Sequence, residues 1–149
     1  IGIIFQLPYP FQLRCPTFKS DLDGTADLVL YDSDGTTPLE TISYDPDIRE
    51  ANSRLSYTGY FATPTRTYLA NTNYRLALKP TSVTNIDLRD FSVSAAGYMD
   101  ALDSGQLIQW TQRTDAGAWS ETTTRRPWMG LLVNGADNGA QTHGTSFVG

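Results

Sequence analysis

Two acidic motifs are the first candidates for chemistry, because each places two aspartates two positions apart before a glycine. They are Asp21-Leu22-Asp23-Gly24 and Asp32-Ser33-Asp34-Gly35. Carboxylates at this spacing supply oxygen ligands around a tight turn, as in calcium-binding loops. A full loop also needs a third acidic or amide position and a later bidentate Glu, which both motifs lack. Asp-Gly turns with solvated carboxylates are the main interpretation, and a weak Ca²⁺ site at Asp32 and Asp34 is the alternative.

Aromatic residues form the second candidate site. Trp110 and Trp119 flank a turn that contains Asp115, and the two indoles could meet across a hairpin. An exposed tryptophan beside Arg113 and Asp115 would stack on a sugar ring or serve as a contact in a protein interface. Core packing of at least two of the three tryptophans is the main interpretation, and ligand binding by this group is the alternative.

The inventory of catalytic residue types points away from an enzyme. His143 is the only histidine and lies in a polar tail, while the single cysteine, Cys15, lies on the apolar face of a predicted strand. A Ser–His or Cys–His arrangement would require the tail to return to the core. Glycoside hydrolysis needs a pair of carboxylates across a cleft, and no pair stands out. Glu40, for example, is predicted to lie on a solvated strand face. We predict that the chain is not an enzyme.

Composition favours an all-β domain. The chain has 149 residues, of which 40% are hydrophobic and 18% charged, and it contains only two lysines and three glutamates. Helix formers are therefore scarce, whereas β-branched and aromatic residues are common. The formal net charge of −5 makes nucleic acid an unexpected partner. No stretch is apolar for long enough to predict a membrane-spanning segment.

The best-defined element is a β-hairpin over residues 26–44. Apolar alternation on both sides of the turn 32–38 has the period of two that a strand requires. Gly35 suits the turn, and Pro38 opens the second strand, where a missing N–H does least harm. Pro16 predicts that the strand from Phe11 is an edge strand or contains a bulge.

The other alternating runs repeat this pattern along the chain. Nine or ten short strands predict an antiparallel β-sandwich, jelly-roll-like, over residues 1–134. One or two short helical turns are expected, after Asp45 and within residues 95–102. Residues 135–149 are rich in Gly, Asn and Thr, and we predict an ordered loop or an extended arm there.

Interface residues can be proposed at the C-terminal end. Arg125 and Arg126 form a basic pair, which suits a salt bridge or an interface anchor better than a nucleic-acid patch. His143 and Phe147 lie in the predicted arm, which could become ordered on a neighbouring molecule. We therefore expect these four residues to contribute to protein contacts.

Four segments together carry a resemblance that covers most of the chain: FQLPYPF, ADLVLYDSDGTTPLETIS, NTNYRLALKPTS and RTDAGAWSETTTRRPWMGLLV. Their order is similar to that in β-sandwich modules of phage-type structural genes and bacterial surface proteins. The shared motifs are turn and core patterns, so the resemblance implies an architecture and brings no catalytic residues.

The resemblance implies a structural module of a virion or surface assembly, such as a capsid decoration or a fibre or tail component. Its partners would be other structural subunits, in a homo-oligomer or a larger assembly, and its place would be the virion or the extracellular surface. A carbohydrate-binding module with an exposed Trp/Tyr platform is the alternative. No cofactor is expected beyond the weak Ca²⁺ site.

Overall fold

The computed structural model describes residues 1–45, 55–82, 85–92, 107–114, 116–135 and 145–148. Within these residues the chain forms fourteen strands and no helix. In chain order they are β1 (Gly2–Gln6), β2 (Phe11–Asp23), β3 (Ala26–Tyr31), β4 (Pro38–Tyr44), β5 (Leu55–Thr58), β6 (Thr67–Tyr68), β7 (Tyr74–Pro80), β8 (Asn85–Leu88), β9 (Asp90–Ser92), β10 (Leu107–Gln112), β11 (Ser120–Thr122), β12 (Arg125–Pro127), β13 (Met129–Gly135) and β14 (Thr145–Val148).

Two antiparallel sheets dominate the fold. The first sheet has the strand order β11-β10-β1-β7-β3-β4, and the second has the order β14-β13-β2-β5. The short strands β6 and β8 also pair with the long strand β2, while β9 and β12 form a separate two-stranded ribbon. The all-β antiparallel prediction is confirmed, and the arrangement is that of a β-sandwich. Jelly-roll connectivity stays a prediction.

The main core lies between the two sheets. Its largest fully buried side chains come from both layers: Ile3, Phe5, Phe11, Leu13, Phe18, Leu28, Leu30, Leu76, Leu78, Leu131 and Val133. Aromatic rings join the layers, since the Phe5 and Phe11 ring centroids are 6.2 Å apart and the Phe18 ring meets Tyr44 edge-on at 5.2 Å. Alternate residues of each strand thus face this core, and the residues between them form the outer faces of the sheets.

The predicted hairpin is present as β3 and β4, with Ala26 opposite Tyr44. Its register shifts between Leu30 and Tyr31, which marks a β-bulge on β4 close to the turn. The prediction that Glu40 faces solvent is wrong, because Glu40 pairs with Leu30 and is 7% exposed. It shares the inner side of β4 with Ile42 and Tyr44, two residues along the strand at each step.

Strand β2 is the centre of the second sheet, with β13 and β8 on one side and β5 and β6 on the other. The interpretation of Pro16 as an edge-strand residue is therefore wrong, whereas the predicted bulge is present opposite Leu132 and Val133. The bulge changes which residues face inward. Leu13 and Pro16 are both buried, so Cys15 lies on the outer face rather than with Leu13 as predicted.

The tail predicted as a loop or arm contributes a strand to the sandwich. Strand β14 pairs antiparallel with β13, with Phe147 opposite Leu132. Residues 145–148 therefore form the edge of the second sheet. Both predicted helical turns fall outside the described residues.

Candidate functional site

The three tryptophans lie in different environments. Trp110 on β10 is 4% exposed and joins the main core, whereas Trp119 packs against a small cluster of Val29, Tyr31 and Ala77. Because these three residues alternate with core residues of β3 and β7, the cluster lies on the outer face of the first sheet. Trp110 and Trp119 are thus on opposite faces, and the prediction that they meet across a hairpin is wrong. Trp128 is 59% exposed.

Trp119 is hydrogen-bonded to the turn between β3 and β4. Its indole Nε1–H donates to the carbonyl oxygen of Gly35 at 2.8 Å. Its ring meets the Tyr31 ring edge-on, with the centroids 5.6 Å apart. Gly35 has a φ of +70°, and a Cβ at this position would come within 2.8 Å of Nε1. A glycine is therefore needed both for the turn and for the approach of the indole.

Arg113 covers this aromatic pair. Its guanidinium carbon is 4.4 Å from the centroid of the Trp119 ring and 5.0 Å from that of Tyr31, which is cation–π distance. Its Nη1 also donates to the carbonyl oxygen of Gly35, at 3.4 Å. The rings and the carbonyl hold the guanidinium in a defined place at the surface.

A second arginine near the indole is already neutralised. Arg75 on β7 lies 5.4 Å from the Trp119 centroid, and its Nη2 forms an ion pair with Glu121 Oε1 at 2.9 Å. The same Glu121 oxygen accepts a hydrogen bond from the buried Thr111 hydroxyl at 3.3 Å. Arg75 and Glu121 therefore support the sheet beneath the site, and Arg113 is the cation presented above it.

Two shallow concavities adjoin Arg113. The first has a volume of about 210 Å³ and is lined by Tyr31, Trp119, Arg113, Ile1 and residues 77–80 at the end of β7. The second, of about 290 Å³, is lined by polar residues of the β10–β11 connection, among them Gln112, Thr114 and Ser120. Arg113 and Ile1 border both. We call the two concavities and these residues the Arg113 site.

The structure brings together only part of the predicted ligand-binding group. Arg113 and Trp119 are in contact, Trp110 is in the core and unavailable for stacking, and Asp115 lies outside the described residues. Tyr31, Arg75 and Gly35 were not predicted. Alternation places Tyr31 and Val29 on one face of β3, which was visible in the sequence, but nothing local indicates that residue 119 packs there.

The acidic turn motif uses its carboxylates internally. Asp34 Oδ1 accepts hydrogen bonds from the backbone N–H groups of Thr36 and Thr37 at 2.7 and 2.8 Å, and Oδ2 accepts one from the Thr37 hydroxyl at 2.6 Å. These bonds, that of the hydroxyl above all, hold the pKa of Asp34 below its usual range. Asp32 Oδ1 accepts from the N–H of Ser33. In the described part of the chain no three His, Cys, Asp or Glu side chains are grouped as metal ligands, and the weak Ca²⁺ site stays a prediction.

The predicted basic pair is divided between surface and interior. Arg125 is exposed, forms an ion pair with Asp90 at 2.5 Å, and stacks 4.2 Å from the centroid of Trp110. This pair lowers the pKa of Asp90. Arg126 is 2% exposed and donates to the carbonyl oxygens of Thr123 and Arg125. Arg126 is thus no surface anchor, because these local bonds turn its side chain inward.

The remaining interface candidates are in the tail. Phe147 lies on the edge strand β14, and His143 falls outside the described residues.

The exposed aromatic residues lie instead on the second sheet. Tyr60 is 81% exposed and Trp128 is 59% exposed, and each is followed by a core residue, Phe61 or Met129.

Both aromatic side chains therefore point away from the core, on either side of β2. On one side, Gly59 N–H donates to the Pro16 carbonyl, and on the other, Lys19 N–H donates to the Trp128 carbonyl at 2.9 Å. Between them the outer face carries Cys15, Thr17 and Lys19, all half-buried. We call this surface the Tyr60–Trp128 face.

Comparison of the chain with known family models, curated proteins and solved structures finds no match. The described residues contain no helix that is long and apolar enough to cross a membrane. The functional argument therefore depends on the two outer faces described above.

Proposed function

We propose that the chain is a non-catalytic structural or interaction module of a virion or surface assembly, such as a capsid decoration or a fibre or tail component. It acts through protein–protein contacts with other structural subunits, in a homo-oligomer or a larger assembly. The virion or extracellular setting is proposed from the resemblance of its turn and strand motifs to phage-type modules. The observation that carries the contact role is the Tyr60–Trp128 face.

The composition of that face favours a protein partner. Tyr and Trp are the residues that most often dominate binding energy at protein interfaces, and charged residues are depleted there. Among the described outer residues of β2 from Arg14 to Lys19, these two are the charged ones, and arginine is itself enriched at interfaces. The flat surface of a sheet also suits a broad contact better than a small ligand, which needs a concave site.

Particle fractions from the native source provide the test. We expect the chain to co-purify with particles or filaments in a fixed ratio to their main subunit. Purified chain should rebind to particles from which it has been stripped. Trp128→Ala and Tyr60→Ala should each weaken this rebinding at least about 10-fold, because hot-spot truncations cost roughly 2 kcal/mol or more.

Leu69→Ala is the matched control, because Leu69 is a large apolar side chain, 66% exposed, outside this face. It should rebind like the wild type. A chain that is absent from particles, or that rebinds equally well after both aromatic substitutions, would disprove the proposal.

Carbohydrate binding is a second candidate function, and the Arg113 site is the observation that favours it. The site is concave and combines aromatic rings with hydrogen-bonding side chains, which is the composition expected of a small-ligand site. It lies on the first sheet, opposite the Tyr60–Trp128 face, so both functions could coexist in one module.

A further inference from the structure

The guanidinium of Arg113 is fixed in position by its neighbours, and most of its N–H groups have no described acceptor. A guanidinium has five N–H donors, and the hydrogen bond described for Arg113 uses one of its nitrogens, toward Gly35. Among the described residues Arg75, Arg89 and Arg125 each form an ion pair, whereas Arg113 forms none. Because Trp119 and Tyr31 already fix its plane, little conformational entropy would be lost when a ligand binds.

The surroundings of Arg113 favour an anion although the chain is acidic overall. Among the described residues, those that border the two concavities include Lys79 and Arg113 and no carboxylate, whereas the net charge of the chain is −5. A planar guanidinium binds a carboxylate through two parallel hydrogen bonds, which adds geometric specificity to the charge. The charge pattern thus favours a ligand that carries an oxyanion such as a carboxylate.

The size and lining of the concavities favour a saccharide. Each is smaller than the 300–1,000 Å³ typical of sites for drug-sized ligands, so each suits a single ring-sized unit. The first offers apolar surface from Tyr31 and Trp119, and the second offers the polar groups of Gln112, Thr114 and Ser120. Hydroxyl and amide groups of this kind pair with sugar hydroxyls.

We propose that the Arg113 site binds an acidic saccharide, with two neighbouring sugar units in the two concavities and a carboxylate received by Arg113. This inference rests on the second candidate function and names its ligand class. Lys79 adds a second positive charge beside the first concavity, and Ala118 borders the second. The Tyr60–Trp128 face has no part in it.

Titration calorimetry with polygalacturonate is the direct test, with the methyl-esterified polymer as the matched ligand that lacks the charge. The tag is placed at the C-terminus because Ile1 borders both concavities. Polygalacturonate should bind, should bind more weakly as salt is added, and should bind at least about 10-fold more tightly than the ester. Arg113→Gln should raise the Kd for polygalacturonate about 10- to 100-fold, the range for a charge-assisted hydrogen bond.

Two further variants keep the test valid if Arg113→Gln does not fold. Lys79→Gln should weaken binding several-fold, and Ala118→Trp should block the second concavity while residue 113 stays an arginine. Arg14→Gln is the control for charge, because Arg14 is exposed on β2 in the second sheet, and it should bind like the wild type.

Three results would overturn the inference. Equal binding of the acidic and esterified polymers would retain a carbohydrate-binding module but remove the carboxylate from its recognition. Equal binding of polyglutamate and polygalacturonate would show that the site takes acidic polypeptide. Absence of binding to polygalacturonate would reject the site, while the particle experiment on Trp128 and Tyr60 would stand independently.

Discussion

The indole of Trp119 donates a hydrogen bond to the carbonyl of Gly35, 84 residues earlier in the chain, at 2.8 Å. This bond joins the turn of the β3–β4 hairpin to the connection between β10 and β11. In the strand order of the first sheet, β1 and β7 lie between the β3–β4 hairpin and the β10–β11 pair. The bond therefore connects two distant parts of the chain across the outer face of this sheet. The Arg113 site exists because these two segments are held together.

Trp119→Phe is expected to lower the free energy of unfolding by about 1 kcal/mol, because phenylalanine keeps a ring but has no N–H to donate. Urea denaturation followed by far-UV circular dichroism measures the change. Tyr60→Phe is the control, because it removes a hydroxyl donor from an aromatic residue that is 81% exposed, and we expect a change within about 0.5 kcal/mol. Equal losses in the two variants would contradict the role assigned to the indole.

Gly35→Ala is expected to cost about 1–2 kcal/mol of unfolding free energy. A left-handed φ is unfavourable for alanine, and the added Cβ would lie 2.8 Å from Trp119 Nε1 and 3.0 Å from Arg75 Nη1. If the indole is part of the cost, Gly35→Ala should be at least about 0.5 kcal/mol less destabilising in a Trp119→Ala background. A double-mutant cycle that is additive would show that only the backbone matters.

Glu40→Gln is expected to stabilise the protein by about 1 kcal/mol at neutral pH. Glu40 is 7% exposed, and its Oε1 is buried without a hydrogen-bond partner, a costly state for a carboxylate. Its surroundings are poorly solvated, since burial raises the pKa of the neighbouring Tyr68 to about 12, with the Glu40 charge contributing.

Glu121→Gln is the matched control, because it makes the same chemical change but should destabilise the protein. It removes the ion pair between Glu121 and Arg75. It should lower stability by up to about 1 kcal/mol. Thermal melts of the two variants side by side measure the contrast. A melting temperature that falls for Glu40→Gln would contradict the cost assigned to the buried oxygen.

Asp34 should contribute an acid-dependent part of the stability. Its pKa in the folded protein lies below its ordinary value, first because of the Thr37 hydroxyl and then because of the N–H groups of Thr37 and Thr36. A depressed folded pKa gives stability that is present above the unfolded pKa, near 4, and is lost as the pH falls further toward the folded value.

Stability measured between pH 2 and pH 7 tests this assignment. Asp34→Asn and Thr37→Val should each flatten the decline below about pH 4. Ser33→Ala removes a hydroxyl from the same turn, and the Asp34 hydrogen bonds do not involve that hydroxyl. It should keep the wild-type slope. An unchanged slope in Thr37→Val would show that the hydroxyl does not hold the carboxylate.

The features that could be predicted from the sequence are those set by interactions between residues close together in the chain. The β3–β4 hairpin follows from alternation, an Asp-Gly turn and a proline, all of which act within a few residues. The bulge in β2, which leaves Arg14 without a paired residue on β13, was predicted from the nearby Pro16. The prediction for Glu40 was wrong, because alternation places Glu40 on the same side of β4 as Ile42, which packs against the core.

The candidate site could be predicted only in part because its members meet through tertiary packing. Arg113 and Trp119 lie close in sequence and were grouped correctly. Tyr31 and Gly35 reach them through strand pairings that no local pattern specifies. The burial of Trp110 likewise depends on tertiary packing, since Arg125 of the β9–β12 ribbon lies over its ring.

The position of β1 has a consequence for how the chain acquires its structure. This strand lies inside the first sheet, with Gly2 opposite Ala77 of β7 and Thr111 of β10. During synthesis β1 is therefore made long before β7 and β10, and its apolar side chains stay exposed until those strands pair with it. High contact order of this kind slows folding and leaves an unpaired strand open to misassociation. A chaperone, or rapid docking into a larger assembly, would shorten that exposure.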